Sequence, residues 1–340
     1  MSWKGILRKA GIAVDSSGNI NPSAALYAAG GIPLVGTVFG NAYYVDYRNG
    51  DDSLNSGMRR NDAFKTYGAA VDAVTTDNND VIFIDGDSTV VETAMVTVSK
   101  NRVHTVGING PAGHFGAGAK ISCAASATAT NIATVLNTGV RNTFTGIKVM
   151  NANTVNEGLY GFVEGGEYTR FFNSEFVKET DLDETGAADF VCNGDSPMFY
   201  GCTFGGSAYD ISGAIIRANI LFTQGIAGAG KVTRDAWFED CIIWRKSSNI
   251  ANHFVYGANA TDIERMCVFK SCLFMNSKIS AAVPAINVAF GSSLTVGQVL
   301  LWDCASMNAA TAMSTTTGVF IHGYTPDATG AAAGIAIQAA

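Results

Sequence analysis

Two ladders of look-alike segments, short apolar runs bounded by turn residues, and no long helical stripe between them predict an all-β solenoid. The form expected is a right-handed parallel β-helix of about eight coils with a short N-terminal capping helix. The first ladder aligns NTFTGIKV (142–149), RFFNSEFV (170–177), MFYGCTF (198–204), WFEDCIIW (237–244), VFKSCLF (268–274) and LLWDCAS (300–306). It places Gly146, Ser174, Cys202, Cys241, Cys272 and Cys304 in one column, in steps of 28, 28, 39, 31 and 32 residues. A bulky residue precedes each: Phe144, Phe172 and Tyr200 by two positions, then Phe238, Phe269 and Leu301 with a shift of one. The second ladder runs through Val135, Val163, Val191, Phe222, Val255 and Val288, separated by 28, 28, 31, 33 and 33 residues.

Each run holds four to six residues rich in Phe, Val and Ile between Gly, Asn, Asp or Ser, which is strand and turn chemistry. Two or three such strands per repeat make one coil. Stacked coils lie about 4.8 Å apart, so each inward side chain sits on its counterpart in the next coil. The small column is then an interior stack beside an aromatic one. A ladder of cysteines could also serve metal or redox chemistry, but free cysteine behaves as a small buried apolar residue. The seven cysteines are odd in number and lack Cys-x-x-Cys spacing, so they read as reduced thiols of a chain folded in a cytosol. His104, His114, His253 and His322 stand apart, so no zinc set is expected.

The balance of charge narrows the partners. A net charge of −7 argues against a protein that grips nucleic-acid backbone. No apolar run approaches the roughly 18 residues of a membrane span, and the first residues lack a signal-peptide core.

Upstream of the ladders, Tyr43 to Tyr47 alternates as a strand and runs into an Asn-Gly-Asp-Asp turn. Asn61 and Asp62 are expected to cap a helix near 62–73 whose apolar face is Phe64, Tyr67, Ala70 and Val71. VIFID (81–85) follows as a strand. A helix over the first coil would protect an open solenoid end from pairing with other chains. The run YYVDYRNGDDSLNSG…AFKTYGAAVDA…DVIFIDGD resembles the opening of phage tailspike-like and pectate-lyase-like right-handed β-helix proteins. The resemblance covers about residues 41–310. It implies a β-helix there, an N-terminal arm over 1–40 and a closing segment rich in Ala, Gly and Thr over 311–340. Trp3, Lys4, Ile6, Leu7, Arg8 and Lys9 of the arm are expected either to contact a capsid or to pack on their own coil.

Cleavage of a glycan by hydrolysis needs two carboxylates about 5–9 Å apart. The position before the small column offers Asp240 and Asp303, two coils apart with Ser271 between, and both read as rim residues. Arg217, Lys231 and Arg234 have no facing acids that would make one of them a lyase base, so no catalytic residue is assigned. Asp181 and Asp183 look like half of a calcium loop, but Cys192 stands where its bidentate Glu is needed. They are weak candidates, and no metal or cofactor is expected. GIAGAGKVT (225–233) nearly matches a phosphate-binding loop, yet Val232 stands where Ser or Thr must follow the lysine. It reads as a lengthened turn of the fourth repeat that protrudes from the surface.

A short solenoid, an N-terminal arm too small to be a tail-docking domain and the lack of a convincing acid pair favour a non-enzymatic virion protein, and the resemblance implies a homotrimer bound to the major capsid protein that decorates and stabilises a phage capsid. It would be assembled in the host bacterial cytoplasm and located on the virion. The alternative is a tailspike or depolymerase that binds or cleaves host surface polysaccharide, a glycan lyase or hydrolase. Neither nucleic acid nor membrane is expected as a partner.

Overall fold

The structure, a computed structural model, describes residues 40–85, 92–108, 119–123, 132–152, 158–178, 186–206, 217–226, 231–247, 252–257, 259, 261–277, 286–292, 298–307, 309–314 and 319–322. Among them the strands form three parallel sheets of ten, seven and eight strands, each built from strands that recur once per coil. This is the expected right-handed parallel β-helix. The ten-stranded sheet extends from Ala42–Asp46 to Val319–His322, so the stack is longer than eight coils.

In six consecutive coils the corner between the ten- and seven-stranded sheets is two residues long, as between Thr143–Thr145 and Lys148–Asn151. Its first residue is Gly146, Asn173, Gly201, Asp240, Ser271 or Asp303, and every one is left-handed, with φ between 45° and 62°. Only Gly, Asn, Asp and a few other residues adopt that conformation at low cost, which explains the composition of the column. The second residue turns inward and gives the small column: Ile147, Ser174, Cys202, Cys241, Cys272 and Cys304, all buried.

This register corrects the first ladder. Gly146 belongs with the left-handed residues, and Ile147 takes its place among the cysteines. The aromatic column lies three positions before the small one every time: Phe144, Phe171, Phe199, Phe238, Phe269 and Leu301. Its rings stack face to face, with centroids 5.2, 4.7, 4.3 and 4.4 Å apart from Phe144 to Phe269. Phe172 and Tyr200 point outward instead.

The eight-stranded sheet sends Val135, Phe162, Phe190, Ile220 and Val255 into the same core. Phe162 meets Phe176 of the seven-stranded sheet edge to face at 5.3 Å, which ties the walls together. Val163 and Val191, two rungs of the second ladder, sit on the other side of this sheet in a second buried cluster with Ala188, Ala218 and Leu221.

The capping helix is shorter than expected. It spans Tyr67–Ala73, while Ala63 and Phe64 are extended and Phe64 bridges Val45. Its N-cap is Thr66, whose hydroxyl accepts from the Ala69 amide, not Asn61 or Asp62. Asp52 accepts from the Lys65 and Thr66 amides, and the buried Glu92 accepts from the Tyr67 amide at 2.8 Å. Two carboxylates from distant turns therefore satisfy the donors at the start of the helix, a service that local pattern could not reveal.

Candidate functional site

The outer face of the ten-stranded sheet carries the most chemistry. Side chains alternate along each strand, so the residue just before each left-handed corner lies on the outer side of the sheet; Thr145, before the first corner, is covered there, and the next five reach the surface. In register from coil to coil these are Phe172, Tyr200, Glu239, Lys270 and Trp302. Phe172 and Tyr200 stack at 5.4 Å and 11°. Lys270 donates to Glu239 Oε1 at 2.6 Å, and its ammonium lies 5.5 Å from the centre of the Trp302 ring. Trp237, on the same strand as Glu239, donates its indole N–H to the second carboxylate oxygen at 3.0 Å. The Lys270 ammonium holds the Glu239 carboxyl below its ordinary value, and Glu239 raises Lys270 in return. Trp302, Met266 and Tyr168, three of the large apolar side chains exposed among the described residues, lie on this face or its rim.

One edge of the face is a ladder of ion pairs on the turns that lead into it. Val140, Glu167, Asp195 and Arg234 bridge in sequence from coil to coil. Lys231 pairs with Glu167 at 3.4 Å, and Arg234 lies against both Glu264 and Asp195. Arg265 reaches Asp235 and Asp195.

The outer face of the eight-stranded sheet differs. Its residues Val163, Val191 and Leu221 are buried, and Ile226 packs against them. At the start of the GIAGAGKVT segment Gly225 is exposed while Ile226 packs back onto the sheet. Residues 227–230 lie outside the described ones.

A third polar group lies inside the corner between the seven- and eight-stranded sheets. Arg217 donates to the Lys178 carbonyl at 2.7 Å, and Arg245 donates to the Arg217 carbonyl at 2.8 Å. Asp189 accepts from the Lys178 amide and lies 3.7 Å from Arg245. Burial pushes Lys178 down to about 7 and Arg245 down to about 9. These cations hold carbonyls in a corner where backbone groups have no water.

The weighed residues are thus scattered. Arg217 is buried in that corner, and Lys231 and Arg234 are held in ion pairs on the turn edge. Asp240 and Asp303 are corner residues with left-handed backbones. Asp181 and Asp183, and Trp3 to Lys9, lie outside the described residues. No metal-holding group of His, Cys, Asp and Glu occurs among the described residues, and none of their helices is long and apolar enough to cross a membrane. The outer aromatic face escaped the sequence reading. Its signal was the residue before each left-handed corner, visible only once the register is right.

No family model matches the chain, and no curated protein matches it in sequence. Solved structures do share its fold. The pectin methylesterase from Aspergillus niger is similar at a TM-score of 0.58 and 12% identity, over 89% of this chain and 92% of that one. A pectate lyase is similar at 0.55 and 15% identity, over 85% and 72%. A pectin methylesterase in complex with a hexasaccharide is similar at 0.51 and 12% identity, over 84% and 81%. At such identities the likeness defines the class, a parallel β-helix protein of the architecture used by polysaccharide-acting enzymes. It also corrects the expectation of a non-enzymatic chain. That expectation leaned on the shortness of the solenoid, yet an esterase of this fold is matched over 92% of its length.

Proposed function

We propose that the chain is a tailspike-like β-helix protein that binds and processes a polysaccharide, with the polymer lying across the coils on the outer face of the ten-stranded sheet. The continuous row of Phe172, Tyr200, Glu239, Lys270 and Trp302 carries this reading. Sugar rings present apolar C–H faces that pack on aromatic rings, and hydroxyls that suit an ion pair such as Glu239–Lys270. Coils repeat at about 4.8 Å, close to the advance of one pyranose along an extended chain. A contiguous, partly apolar outer surface of this kind marks a binding site more often than idle surface. The phage particle remains the proposed setting, on the sequence resemblance of the opening segment.

The test is affinity electrophoresis against a panel of bacterial surface polysaccharides, with reducing-end release measured in parallel. Retardation is expected for the intact chain, with affinity about tenfold lower for Tyr200→Ala and Trp302→Ala at unchanged circular dichroism. Equal retardation of both variants and the intact chain would remove the face from consideration.

A further inference from the structure

We infer that the start of this row, at the fourth and fifth strands of the ten-stranded sheet, holds a subsite for a carboxylate-bearing sugar, built from Arg141, Tyr168, Arg170 and Phe172. The inference rests on the polysaccharide reading above and names the class of polymer.

Charge is the first ground. On the rim of the face most charges are closed against one another. Lys231 takes Glu167, Arg234 takes Glu264 and Asp195, Arg265 takes Asp235, and Lys270 takes Glu239. One coil before Arg141, Arg102 lies 3.7 Å from Asp77. Arg141 and Arg170 are exposed, and among the described residues no side-chain hydrogen bond or ion pair engages either guanidinium. Both Glu167 and Asp195, the carboxylates of the neighbouring turns, are occupied by other cations.

Position is the second ground. Val140 bridges Glu167 and Thr143 pairs with Arg170, so the two arginines sit on adjacent coils of one rim. Arg170 and Phe172 alternate outward from the same strand, and the Phe172 ring stacks on Tyr200. A guanidinium is therefore set beside a two-ring aromatic platform. Tyr168 flanks it, half exposed, with a left-handed backbone at φ 57°. That conformation recurs at this corner in Arg102, Arg141, Ser196 and Asp235 of the neighbouring coils, so what Tyr168 adds to the site is its exposed ring. What the group offers is a flat surface for a sugar ring and planar, charge-assisted donors for a carboxylate beside it. An uncharged polymer would leave both cations unused.

The experiment is a glycan array carrying uncharged, carboxylate-bearing and phosphate-bearing oligosaccharides. The variants Arg141→Gln, Arg170→Gln, Tyr200→Ala and, as a remote surface control, Lys246→Gln are probed beside the intact chain. Carboxylate-bearing sugars are expected to bind, about tenfold more weakly to each arginine variant and unchanged for Lys246→Gln. Reducing the carboxyl of the bound sugar to a primary alcohol is expected to cost a similar factor, and binding is expected to fall with added salt. Preference for phosphate-bearing sugars, or arginine variants that bind as the intact chain does, would overturn the subsite. Binding of uncharged sugars that Tyr200→Ala abolishes and the arginine variants keep would overturn it and leave the polysaccharide reading standing. Absence of binding by every class would sink both.

Discussion

Glu164 shows how far a single interior residue departs from its behaviour in water. It is fully buried beneath Cys192, and its carboxyl accepts from Asn137 at 3.1 and 2.9 Å, from Thr169 at 3.0 Å and from the Gly166 amide at 2.7 Å. Burial outweighs these bonds and the distant pull of Lys231, and raises the group to about 8. The folded chain thus keeps a proton that the unfolded chain releases above about 4.5. This contribution to stability is complete below about 4.5 and is lost as pH rises through 8. Lys178, pushed down to about 7 by burial, acts in the opposite sense and restores stability above that pH. Glu164→Gln is expected to flatten the fall of melting temperature between pH 5 and 8 by differential scanning fluorimetry; an unchanged slope would assign the fall elsewhere. Sequence reasoning missed Glu164, because nothing local tells that a strand residue faces a core made by other coils. Asp240 and Asp303 were legible, since left-handed corners select short polar residues.

At the scale of the element, the ladders were readable because inward positions stack on themselves, which forces similar residues to recur. Register was harder. Phe171 and Phe172 are adjacent aromatics on opposite faces, as are Phe199 and Tyr200, so alternation of apolar and polar residues fails where both faces carry rings. Gly146 resembled the small column because left-handed and tightly packed positions both favour small residues. Had the corner been recognised as two residues, the outer row ending at Trp302 would have followed directly. The inner stack is the mechanical spine. Phe199 touches Phe171, Phe238, Phe190 and Phe204 with centroids 4.3 to 5.6 Å away. Phe199→Ala is expected to cost about 3–5 kcal/mol in urea unfolding, since the cavity is lined by rings that belong to three sheets. A loss below about 1 kcal/mol would mean that the stack relaxes around the gap.

For the whole molecule, a solenoid holds together through contacts between successive coils. All seven cysteines are buried and free, and burial raises the Cys241 and Cys267 thiols well above their ordinary range. An aromatic disulfide reagent is expected to leave them unmodified in the native chain and to modify all of them in denaturant, in step with loss of circular dichroism. Rapid modification of the native chain would show that coils open locally. The fold class was the most legible feature because it is written in every repeat. The functional face was less so, because a binding row needs only one side chain per coil and any of several residues will serve.

The two-residue corner has a last consequence. Successive inward residues Cys202 and Cys241 are separated by more chain than Cys241 and Cys272, yet Phe199, Phe238 and Phe269 stay in register. Extra residues enter at the other corners and leave the pitch untouched. The length of the rod is therefore set by the number of windings, and the length of the polypeptide varies without altering it. Side loops can grow, shrink or be replaced while the row of rungs they flank keeps its spacing, so reach and specificity can change independently.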